Sequence, residues 1–234
     1  MKVTLLVPTL NEITGIKEIM PQIKREWVDQ IIILDGGSVD GTIEWAREQG
    51  FFIYVQKERG LRSGYSEVLP YIEGDFVITF SPDGNSRPDF IPVLIKKIKE
   101  GYDMVIVSRY ANGAKSYDDD VVTSFGNWMF TTLINVLFGG KYKDAMVIFR
   151  AWKKEIIYKL EINKRINFPH WENLIGRWVS WEPLLSIRCA KRKLRYTEIP
   201  GDEPKRIGGK RKMKPLITGS AVIFQVFQEI FFWS

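Results

Sequence analysis

The chain has 234 residues, a length that suffices for one α/β domain with a full core and a short appendage. Its net charge is +6 at neutral pH. Its apolar fraction of 45% and charged fraction of 26% are ordinary for a folded protein, so the composition excludes extensive disorder. The single cysteine, Cys189, excludes an internal disulfide, and the single histidine, His170, argues against a histidine-built zinc site.

The start of the chain and its charge distribution bear on where the protein works. Residues 3–7 already form a strand-like run, without the basic lead, apolar stretch and cleavage site of a secretory signal, so we expect a cytoplasmic protein. No run reaches the roughly 18 uninterrupted apolar residues of a spanning helix. Lys and Arg crowd between positions 191 and 214, which indicates an anionic partner such as phosphate groups or an acidic membrane surface. No recognised nucleic-acid-binding motif accompanies them, so we expect no nucleic acid.

Five strand-like runs alternate with helix-like segments in the first half of the chain. They lie at residues 3–7, 30–34, 51–55, 76–80 and 104–107. Continuous apolar strands that alternate with helices predict an α/β fold with a mostly parallel sheet flanked by helices. Ligand sites of such sheets lie at the carboxyl ends of the strands, so the loops that follow the strands are the places to look.

Three of those loops carry polar groups. After the first strand come Pro8, Thr9, Asn11 and Glu12; after the second come Asp35, Gly36, Gly37, Ser38 and Asp40; after the fourth come Ser81, Pro82, Asp83 and Asn85. Asp40 also suits the cap of a helix at 44–49, and Pro82-Asp83-Gly84 suits a β-turn on sterics alone. Three polar loops at one sheet edge nonetheless favour a binding site.

Three helix-like segments have functional interpretations. Residues 63–71 follow Arg59-Gly60-Leu61-Arg62, and a glycine and an arginine ahead of a helix suit a diphosphate. Between 121 and 138, apolar residues at helical spacing favour a core-facing helix, with a lipid-facing surface as the alternative. They are Val122, Phe125, Trp128, Met129, Thr132, Leu133, Val136 and Leu137. Residues 216–233 contain Gln225, Gln228 and Glu229 among aromatics and aliphatics, which suits an interfacial helix after the basic run.

Four motifs stand in a set order along the chain. They are VPTLNE (7–12), LDGGSVDGT (34–42), TFSPDGNSRPD (79–89) and RIGGKRK (206–212). Together they resemble the motifs of family 2 glycosyltransferases of the GT-A (Rossmann-like) fold, and most of all those of the polyprenol-phosphate (dolichol-phosphate) sugar synthases. SRY (108–110) and DAMVIFR (144–150) are similar to two further segments of that family. The resemblance extends from Val3 to about Lys214.

The third motif implies a metal site. Asp83 takes the place of the second aspartate of the family's DxD motif, Asn85 stands where these synthases have a metal-binding glutamine, and Ser81 replaces the first aspartate. A hard divalent ion, Mg²⁺ or Mn²⁺, would then be held by Asp83, Asn85, the donor diphosphate and waters.

The resemblance also implies roles for single residues. Arg206 and Lys212 are implied to contact phosphates, and Asp35 the nucleoside. The implied catalytic set is Asp83, Asp144, Arg109, Arg206 and Lys212. The implied donor-binding set is Pro8, Thr9, Asn11, Glu12, Asp35, Gly37, Ser38, Arg62, Ser81, Pro82 and Asp83. Departures from the family pattern occur at Gly36, Ser81, Ile148 and Arg211.

The implied reaction moves a sugar from GDP-mannose or UDP-glucose to a polyprenyl phosphate, with inversion at the anomeric carbon. A phosphate monoester is largely ionised near neutral pH, with a second pKa of about 6, so no general base is required. A saccharide or lipid hydroxyl acceptor is the alternative, and would need a base such as Asp144, Glu172 or Glu182. A second alternative is a nucleotide-sugar-binding protein that has lost catalysis, suggested by Ser81, Gly36 and Ile148.

The expected organisation is a catalytic domain at 1–214 followed by an amphipathic segment at 215–234. The basic run and the apolar end of the chain favour peripheral contact with the cytoplasmic face of a membrane. The apolar segment at the end suits a second copy of the chain as readily as lipid, so the oligomeric state stays open.

Overall fold

A computed structural model describes residues 1–164, 180–208 and 215–231 of the chain. In these three segments, seven strands form one sheet in the order β3-β2-β1-β4-β6-β5-β7. Only β6 runs against its neighbours, β4 and β5; the other strand pairs are parallel. The strands are β1 (Val3–Thr9), β2 (Gln30–Asp35), β3 (Phe52–Val55), β4 (Phe76–Thr79), β5 (Met104–Ser108), β6 (Arg150–Lys153) and β7 (Tyr196–Pro200).

Helices flank this sheet. They are α1 (Ile13–Ile19), α2 (Thr42–Glu48), α3 (Leu61–Val68), α4 (Phe90–Lys99), α5 (Val121–Phe138), α6 (Lys154–Lys159), α7 (Trp181–Lys191) and α8 (Pro215–Phe231). Short 3₁₀ turns occupy Met20–Gln22, Arg25–Trp27 and Leu69–Tyr71. The predicted helices at 63–71 and 44–49 correspond to α3 with its following 3₁₀ turn and to α2.

Continuous burial along the central strands makes the sheet a rigid base for the loops at its edge. Leu5, Leu6 and Val7 of β1 are fully buried in succession. Because successive side chains of a strand point to opposite faces, both faces of β1 are covered. Each such side chain stabilises the fold by about 1.5–3 kcal/mol relative to exposure.

The mostly parallel α/β fold predicted from the sequence is confirmed. All five predicted strands are present, with ends displaced by at most two residues. Strands β6 and β7 escape sequence prediction, because β6 (RAWK) carries the fully buried Arg150 and β7 (YTEIP) is a half-polar edge strand. Arg150 is tolerated because its guanidinium donates to the carbonyls of Val147, Ala145 and Glu182.

Helix α5 has the predicted bounds, but the core-facing interpretation holds only for Met129 and Leu133, which pack against the core, and is wrong for the other six residues of that set. Its buried side is formed by Asn127, Phe130, Thr131, Ile134 and Phe138, whereas Val122, Phe125, Trp128, Thr132, Val136 and Leu137 are exposed. The buried polar side chains have partners: Asn127 Oδ1 accepts from Arg109 Nη2 at 3.1 Å, and Thr131 Oγ1 accepts the Ala145 N–H at 3.1 Å. Those partners are distant in sequence, so apolar periodicity alone pointed to the wrong side of the helix.

Helix α8 has the same inverted polarity. Its buried residues include Gln225, Gln228 and Glu229, and Glu229 receives two hydrogen bonds from the buried Arg188 of α7, at 2.7 and 2.9 Å. The exposed large apolar residues of α8 are Leu216, Ile217, Ile223, Phe227, Ile230 and Phe231. Helix α8 also packs against α5. We refer to the exposed apolar residues of α5 and α8 together as the outward apolar face.

Candidate functional site

The predicted site loops meet at one edge of the sheet. Strands β1, β2, β4, β5 and β7 run in the same direction, so the loops that follow them leave the sheet at its carboxyl edge. Thr9 and Asp35 end β1 and β2 at this edge, and the loops after β4, β5 and β7 carry Asp83, Arg109 and Arg206 respectively. Because β6 is antiparallel, Asp144 in the segment before it also lies at this edge.

Asp35, at the end of β2, joins the first two loops. Its carboxylate accepts hydrogen bonds from Thr9 Oγ1 at 2.7 Å and Ser38 Oγ at 2.6 Å. It also accepts the N–H groups of Gly37 and Ser38, at 2.8 and 2.7 Å. Ser38 Oγ in turn accepts the N–H of Asn11 at 2.8 Å. Asp35 is fully buried, so it orders the residues of the predicted donor-binding set around it.

Asp40 serves the starts of two helices. One carboxylate oxygen accepts the Ile13 N–H at the start of α1 at 3.0 Å, and the other accepts the Thr42 N–H and hydroxyl at the start of α2. Thr42 Oγ1 accepts the N–H of Glu12 at 3.0 Å. Asp40 thus holds the start of α2 from the residue before its N-cap, Gly41, and Thr42 ties Glu12 to the second loop.

Pro8 and Arg62, also of the predicted donor-binding set, lie on a strand and on a helix. Pro8 is part of β1, opposite Leu34 of β2. Arg62 is the second residue of α3 and is buried, with Nη2 donating to the carbonyl of Lys164 at 3.0 Å.

Two glycines bring other elements against the loop that carries Asp83. A Cβ on Gly15 of α1 would lie 2.5 Å from the carbonyl oxygen of Pro82 and 3.0 Å from Asp83 Cα. Gly84 has a φ of +91°, and a Cβ there would lie 2.7 Å from Ile207. The Ile207 N–H donates to the Asp83 carbonyl at 2.6 Å. Larger residues at positions 15 and 84 would push the loop away from both neighbours.

The residues at the predicted metal site fit a hard divalent ion that a donor diphosphate helps to hold. Asp83 is buried, and its Oδ1 accepts the Asn85 N–H at 3.1 Å. Asn85 Oδ1 is buried and has no hydrogen-bond partner among the described residues. Leaving such an oxygen unpaired costs about 1–3 kcal/mol, so it suits a ligand that arrives later. No group of three acidic, histidine or cysteine side chains suited to a metal occurs in the described segments. Phosphate and water oxygens would therefore complete the shell.

Arg206 lies beside this position. Its Nη1 is 3.8 Å from Asp83 Oδ2, and its Nη2 donates to Asp118 Oδ2 at 2.8 Å. Burial alone would raise the pKa of Asp118, but the hydrogen bonds and charge of Arg206 hold that pKa well below its usual range. Asp118 also accepts from Asn85 Nδ2 at 3.2 Å. It is a site residue that the motifs did not indicate, because its partners are 33 and 88 residues away.

Arg109 and Asp144 form the centre of a buried charge cluster. Arg109 Nε and Nη2 donate to the two oxygens of Asp144 at 2.6 and 3.0 Å, and Nη1 faces Asp119 and Glu203 at 3.2 and 3.4 Å. Nη2 also donates to Asn127, so each N–H of the guanidinium has an acceptor. Burial would raise the pKa of Asp144, but the charge of Arg109 and its hydrogen bonds to Asp144 together lower that pKa. Burial raises the pKa of Glu203 despite Arg109.

The sequence had offered three carboxylates as possible bases. Asp144 is engaged by Arg109 as described, and Glu182 is buried with its Oε1 accepting from Tyr65 Oη at 3.0 Å. Glu172 and the predicted phosphate contact Lys212 lie outside the described residues. The aspartate run after Tyr117 is the signal that sequence reading missed. Asp118 binds Arg206, Asp119 binds Arg109, and Asp120 caps α5 through the Thr123 N–H at 2.8 Å.

The fold and the polar loops at its carboxyl edge are those of a glycosyltransferase of the GT-A type. The model of glycosyl transferase family 2 matches residues 4–161, and the chain belongs to that family. A solved structure with the same fold is glucosyl-3-phosphoglycerate synthase from Mycobacterium tuberculosis in complex with Mn²⁺, UDP and phosphoglyceric acid. It aligns with a TM-score of 0.65 and 18% identity, over 98% of this chain and 78% of the synthase.

Three relatives are similar over most of this chain. Glycosyltransferase AglJ of Haloferax volcanii is 24% identical over 97% of the chain and 71% of its own length. Dolichol-phosphate mannosyltransferase of Pyrococcus furiosus is 27% identical over 99% of the chain, which spans only 63% of that relative's length. Dolichyl-phosphate hexose transferase of Haloferax volcanii is 26% identical over 92% of the chain and 87% of its own length.

Proposed function

We propose that the protein transfers a hexose from a nucleotide sugar, of the GDP-mannose or UDP-glucose kind, to a polyprenyl (dolichyl) phosphate, with a divalent ion and with inversion at the anomeric carbon. Two of the relatives are named for dolichol-phosphate sugar transfer, which supports the acceptor. One observation carries the proposal. Asp118, which holds Arg206 beside Asp83, lies three residues before Val121, where the outward apolar face begins.

The donor is assigned to the loops of β1, β2 and β4. Asp35 accepts hydrogen bonds from Thr9, Gly37 and Ser38. We assign these three residues to binding of the nucleoside part of the donor. The diphosphate is assigned to the position between Asp83 and Arg206, with Asn85 as the second protein ligand of Mg²⁺ or Mn²⁺. The similar synthase crystallised with Mn²⁺ and UDP supports this choice of ion and nucleotide class. When bound, the ion would neutralise charge that develops on the leaving diphosphate.

A phosphate acceptor suits the chemistry of the described site. Attack at the anomeric carbon forms the bond from an acceptor oxygen to the sugar and breaks the bond from the sugar to the nucleoside diphosphate. A lipid monophosphate brings an ionised oxygen, so no proton needs to be removed. Of the carboxylates considered as bases, Asp144 is locked to Arg109, and Glu182 is buried with Tyr65. Arg206 supplies positive charge for the phosphates of donor or acceptor.

The outward apolar face supports a membrane-bound acceptor. Two neighbouring helices bury polar side chains among apolar ones and also expose a second set of apolar side chains, including Trp128 and Phe227, unlike a helix whose outer side faces water. Among the described residues, α5 is the one helix long and apolar enough to cross a bilayer, a test that core helices also pass. Since α5 packs against α7 and α8 within the domain, we assign it to the membrane surface instead. Lys191 lies 5.7 Å from the Phe138 ring, so positive charge adjoins the end of α5.

Sugar transfer to matched acceptors tests this function. The full chain is incubated with Mn²⁺ and radiolabelled GDP-mannose or UDP-glucose, together with either a short polyprenyl phosphate or the polyprenol of the same length. Label in the lipid phase with the phosphate alone is the expected result, and chelation with EDTA should abolish it. The configuration of the product, read by NMR, should be inverted relative to the donor.

Two results would contradict the proposal. Equal transfer to the polyprenol would make the acceptor a hydroxyl and require a base. Nucleotide binding without transfer to any lipid or saccharide would indicate a binding protein that has lost catalysis.

A further inference from the structure

Asp118 contacts both sides of the proposed donor site. Its Oδ2 accepts from Asn85 Nδ2 at 3.2 Å, on the metal side. The same carboxylate accepts from Arg206 Nη2 at 2.8 Å and from Arg206 Nε at 3.2 Å, on the phosphate side. Its side chain is only 11% exposed, so these contacts are shielded from bulk water. One partly buried carboxylate thus connects a proposed metal ligand with a proposed phosphate ligand.

The contact with Asn85 determines which way its amide faces. A carboxylate only accepts hydrogen bonds, so the amide nitrogen must point at Asp118 and the amide oxygen away from it. That oxygen is the buried Oδ1 without a partner among the described residues. Without Asp118, the amide would be free to turn and present its NH₂ group to the ion. Asp118 therefore keeps the oxygen available for a metal ion.

The contact with Arg206 has a similar effect on the guanidinium. Asp118 accepts hydrogen bonds from Nε and Nη2, which form one edge of the Arg206 guanidinium. The remaining nitrogen, Nη1, lies 3.8 Å from Asp83 Oδ2. A guanidinium held along one edge presents its remaining N–H groups in a set direction. Arg206 is thereby aimed at the place assigned to the diphosphate.

A purely structural role of Asp118 would be to fasten the two loops on which it and Arg206 lie. Main-chain contacts already do this: Tyr117 N–H donates to the Glu203 carbonyl at 2.8 Å, and Glu203 N–H donates to the Lys115 carbonyl at 2.9 Å. Lys115 N–H also donates to Asp202 at 2.8 Å. The loops are therefore joined independently of the Asp118 side chain.

We infer that Asp118 is a positioning residue that orients Asn85 toward the divalent ion and Arg206 toward the donor diphosphate. This inference rests on the proposed function, since it takes the ion and the donor from it. Loss of a side chain that holds a metal ligand in place typically changes metal affinity about 10- to 100-fold. Asp118 acts through two other side chains and is not itself assigned a contact with the substrates.

The test measures metal-dependent nucleotide binding, without an acceptor. Melting temperature is followed against Mn²⁺ concentration in a mixture of GDP and UDP, for the wild type, Asp118→Asn and Asp120→Asn. Asp120→Asn is the matched control because it removes the same charge two residues away and keeps a good helix cap. We expect the half-saturating Mn²⁺ concentration to rise at least about tenfold for Asp118→Asn and to stay unchanged for Asp120→Asn.

A double-mutant cycle separates positioning from a general loss of charge. In the background of Asn85→Ala, Asp118→Asn should raise the half-saturating Mn²⁺ concentration by much less than in the wild type, because the side chain that it orients is gone. If Asp118→Asn melts well below the wild type without ligands, Asp118→Glu is used in its place. Glutamate keeps the charge but displaces it by one methylene, so we expect the same rise in the half-saturating Mn²⁺ concentration.

The outcomes distinguish this inference from the proposed function. An unchanged Mn²⁺ response in the Asp118 variants overturns the inference and leaves the function standing. Equal effects of the substitution with and without Asn85 also overturn it. If Mn²⁺ has no effect on the melting temperature of the wild type, both the inference and the metal assignment are overturned. Sugar transfer that persists in EDTA would then show that the proposed transfer reaction holds without a metal ion.

Discussion

Arg109 and Asp144 are paired through two nearly parallel contacts, Nε to Oδ2 at 2.6 Å and Nη2 to Oδ1 at 3.0 Å. The backbone N–H of Arg109 also donates to Asp144 Oδ2, at 3.2 Å. Asp144 is fully buried, and the guanidinium has no N–H without an acceptor. The pair therefore joins the loop after β5 to the segment before β6.

Asp144→Asn is expected to destabilise the protein by about 3 kcal/mol at pH 7. Removal of one partner from a buried ion pair costs about 3–5 kcal/mol, and the low end applies because Arg109 keeps Asp119 and Glu203. Urea unfolding measures the loss. Asp89→Asn is the matched control, because its pair with Arg87 is exposed and should contribute only about 0–1 kcal/mol. Equal losses in the two variants would contradict the assigned burial.

The same variant should show a defined dependence on pH. The pKa of Asp144 is lowered in the folded state because Arg109 outweighs burial, so the unfolded state binds its proton first as the pH falls. The stabilisation is thus fully present above the unfolded value of 3.8 and is lost as the pH falls through the lowered folded value. The difference between wild type and Asp144→Asn should stay constant from about pH 7 to pH 5 and shrink below about pH 4. If the stability difference between wild type and Asp144→Asn already disappeared between pH 7 and 5, the lowered pKa assigned to Asp144 would be contradicted.

Glycines around the Asp83 loop give a second prediction. Gly15→Ala should cost about 1–3 kcal/mol, because the new Cβ would meet the Pro82 carbonyl at 2.5 Å and backbone cannot move aside cheaply. It should also weaken Mn²⁺-dependent nucleotide binding, since the loop that shifts carries Asp83. Gly126→Ala in α5 is the control: nothing lies within 4 Å of its Cβ, and alanine in a helix interior should stabilise by about 0.8–1 kcal/mol. Thermal unfolding and the Mn²⁺ titration measure both effects.

The sequence predicts those features of the fold and site that depend on neighbouring residues, and misses those that depend on residues far apart in the chain. Buried strands are continuous apolar runs, so β1, β2, β4 and β5 could be found from the sequence, and β3 was found because it is equally apolar although its ends are exposed. The polar residues after β1, β2 and β4 marked the edge of the sheet. The pairing of Arg206 with Asp118 depends on residues 88 positions apart, which no motif records. The same reason accounts for the error in α5. Its buried side is set by Asn127 and Thr131, whose partners lie in other segments, so the more apolar side was taken for the core.

Arg206→Gln tests the assigned phosphate cation. Loss of one preorganised donor to developing charge typically lowers the rate about 10²- to 10³-fold, so kcat/KM for sugar transfer should fall by that order. Arg206→Lys should recover only part of the loss, because an ammonium cannot hold Asp118 along one edge and offer further N–H groups in a fixed direction. Arg87→Gln, at an exposed pair, is the control and should leave the rate unchanged. Wild-type transfer by Arg206→Gln would remove Arg206 from the site.

The outward apolar face should determine binding to lipid vesicles. Trp128 of α5 is 62% exposed and Phe227 of α8 is 55% exposed, so substitution of either by Glu leaves the core intact. Burial of one aromatic side chain contributes about 1.5–3 kcal/mol, and each substitution should therefore weaken binding to phosphatidylglycerol-containing vesicles at least about tenfold in a sedimentation assay. Tyr158→Glu is the control, since Tyr158 of α6 is 51% exposed. It lies beside Met1, at the edge of the sheet opposite the carboxyl edge.

The same assay decides between lipid and a protein partner on this face. If lipid covers it, the wild type should stay monomeric in sedimentation equilibrium without vesicles, and Trp128→Glu and Phe227→Glu should weaken vesicle binding. If Trp128→Glu and Phe227→Glu instead bind vesicles like the wild type but dissociate a dimer, a second copy of the chain covers the face. The acceptor would then have to reach Arg206 without the help of the membrane surface.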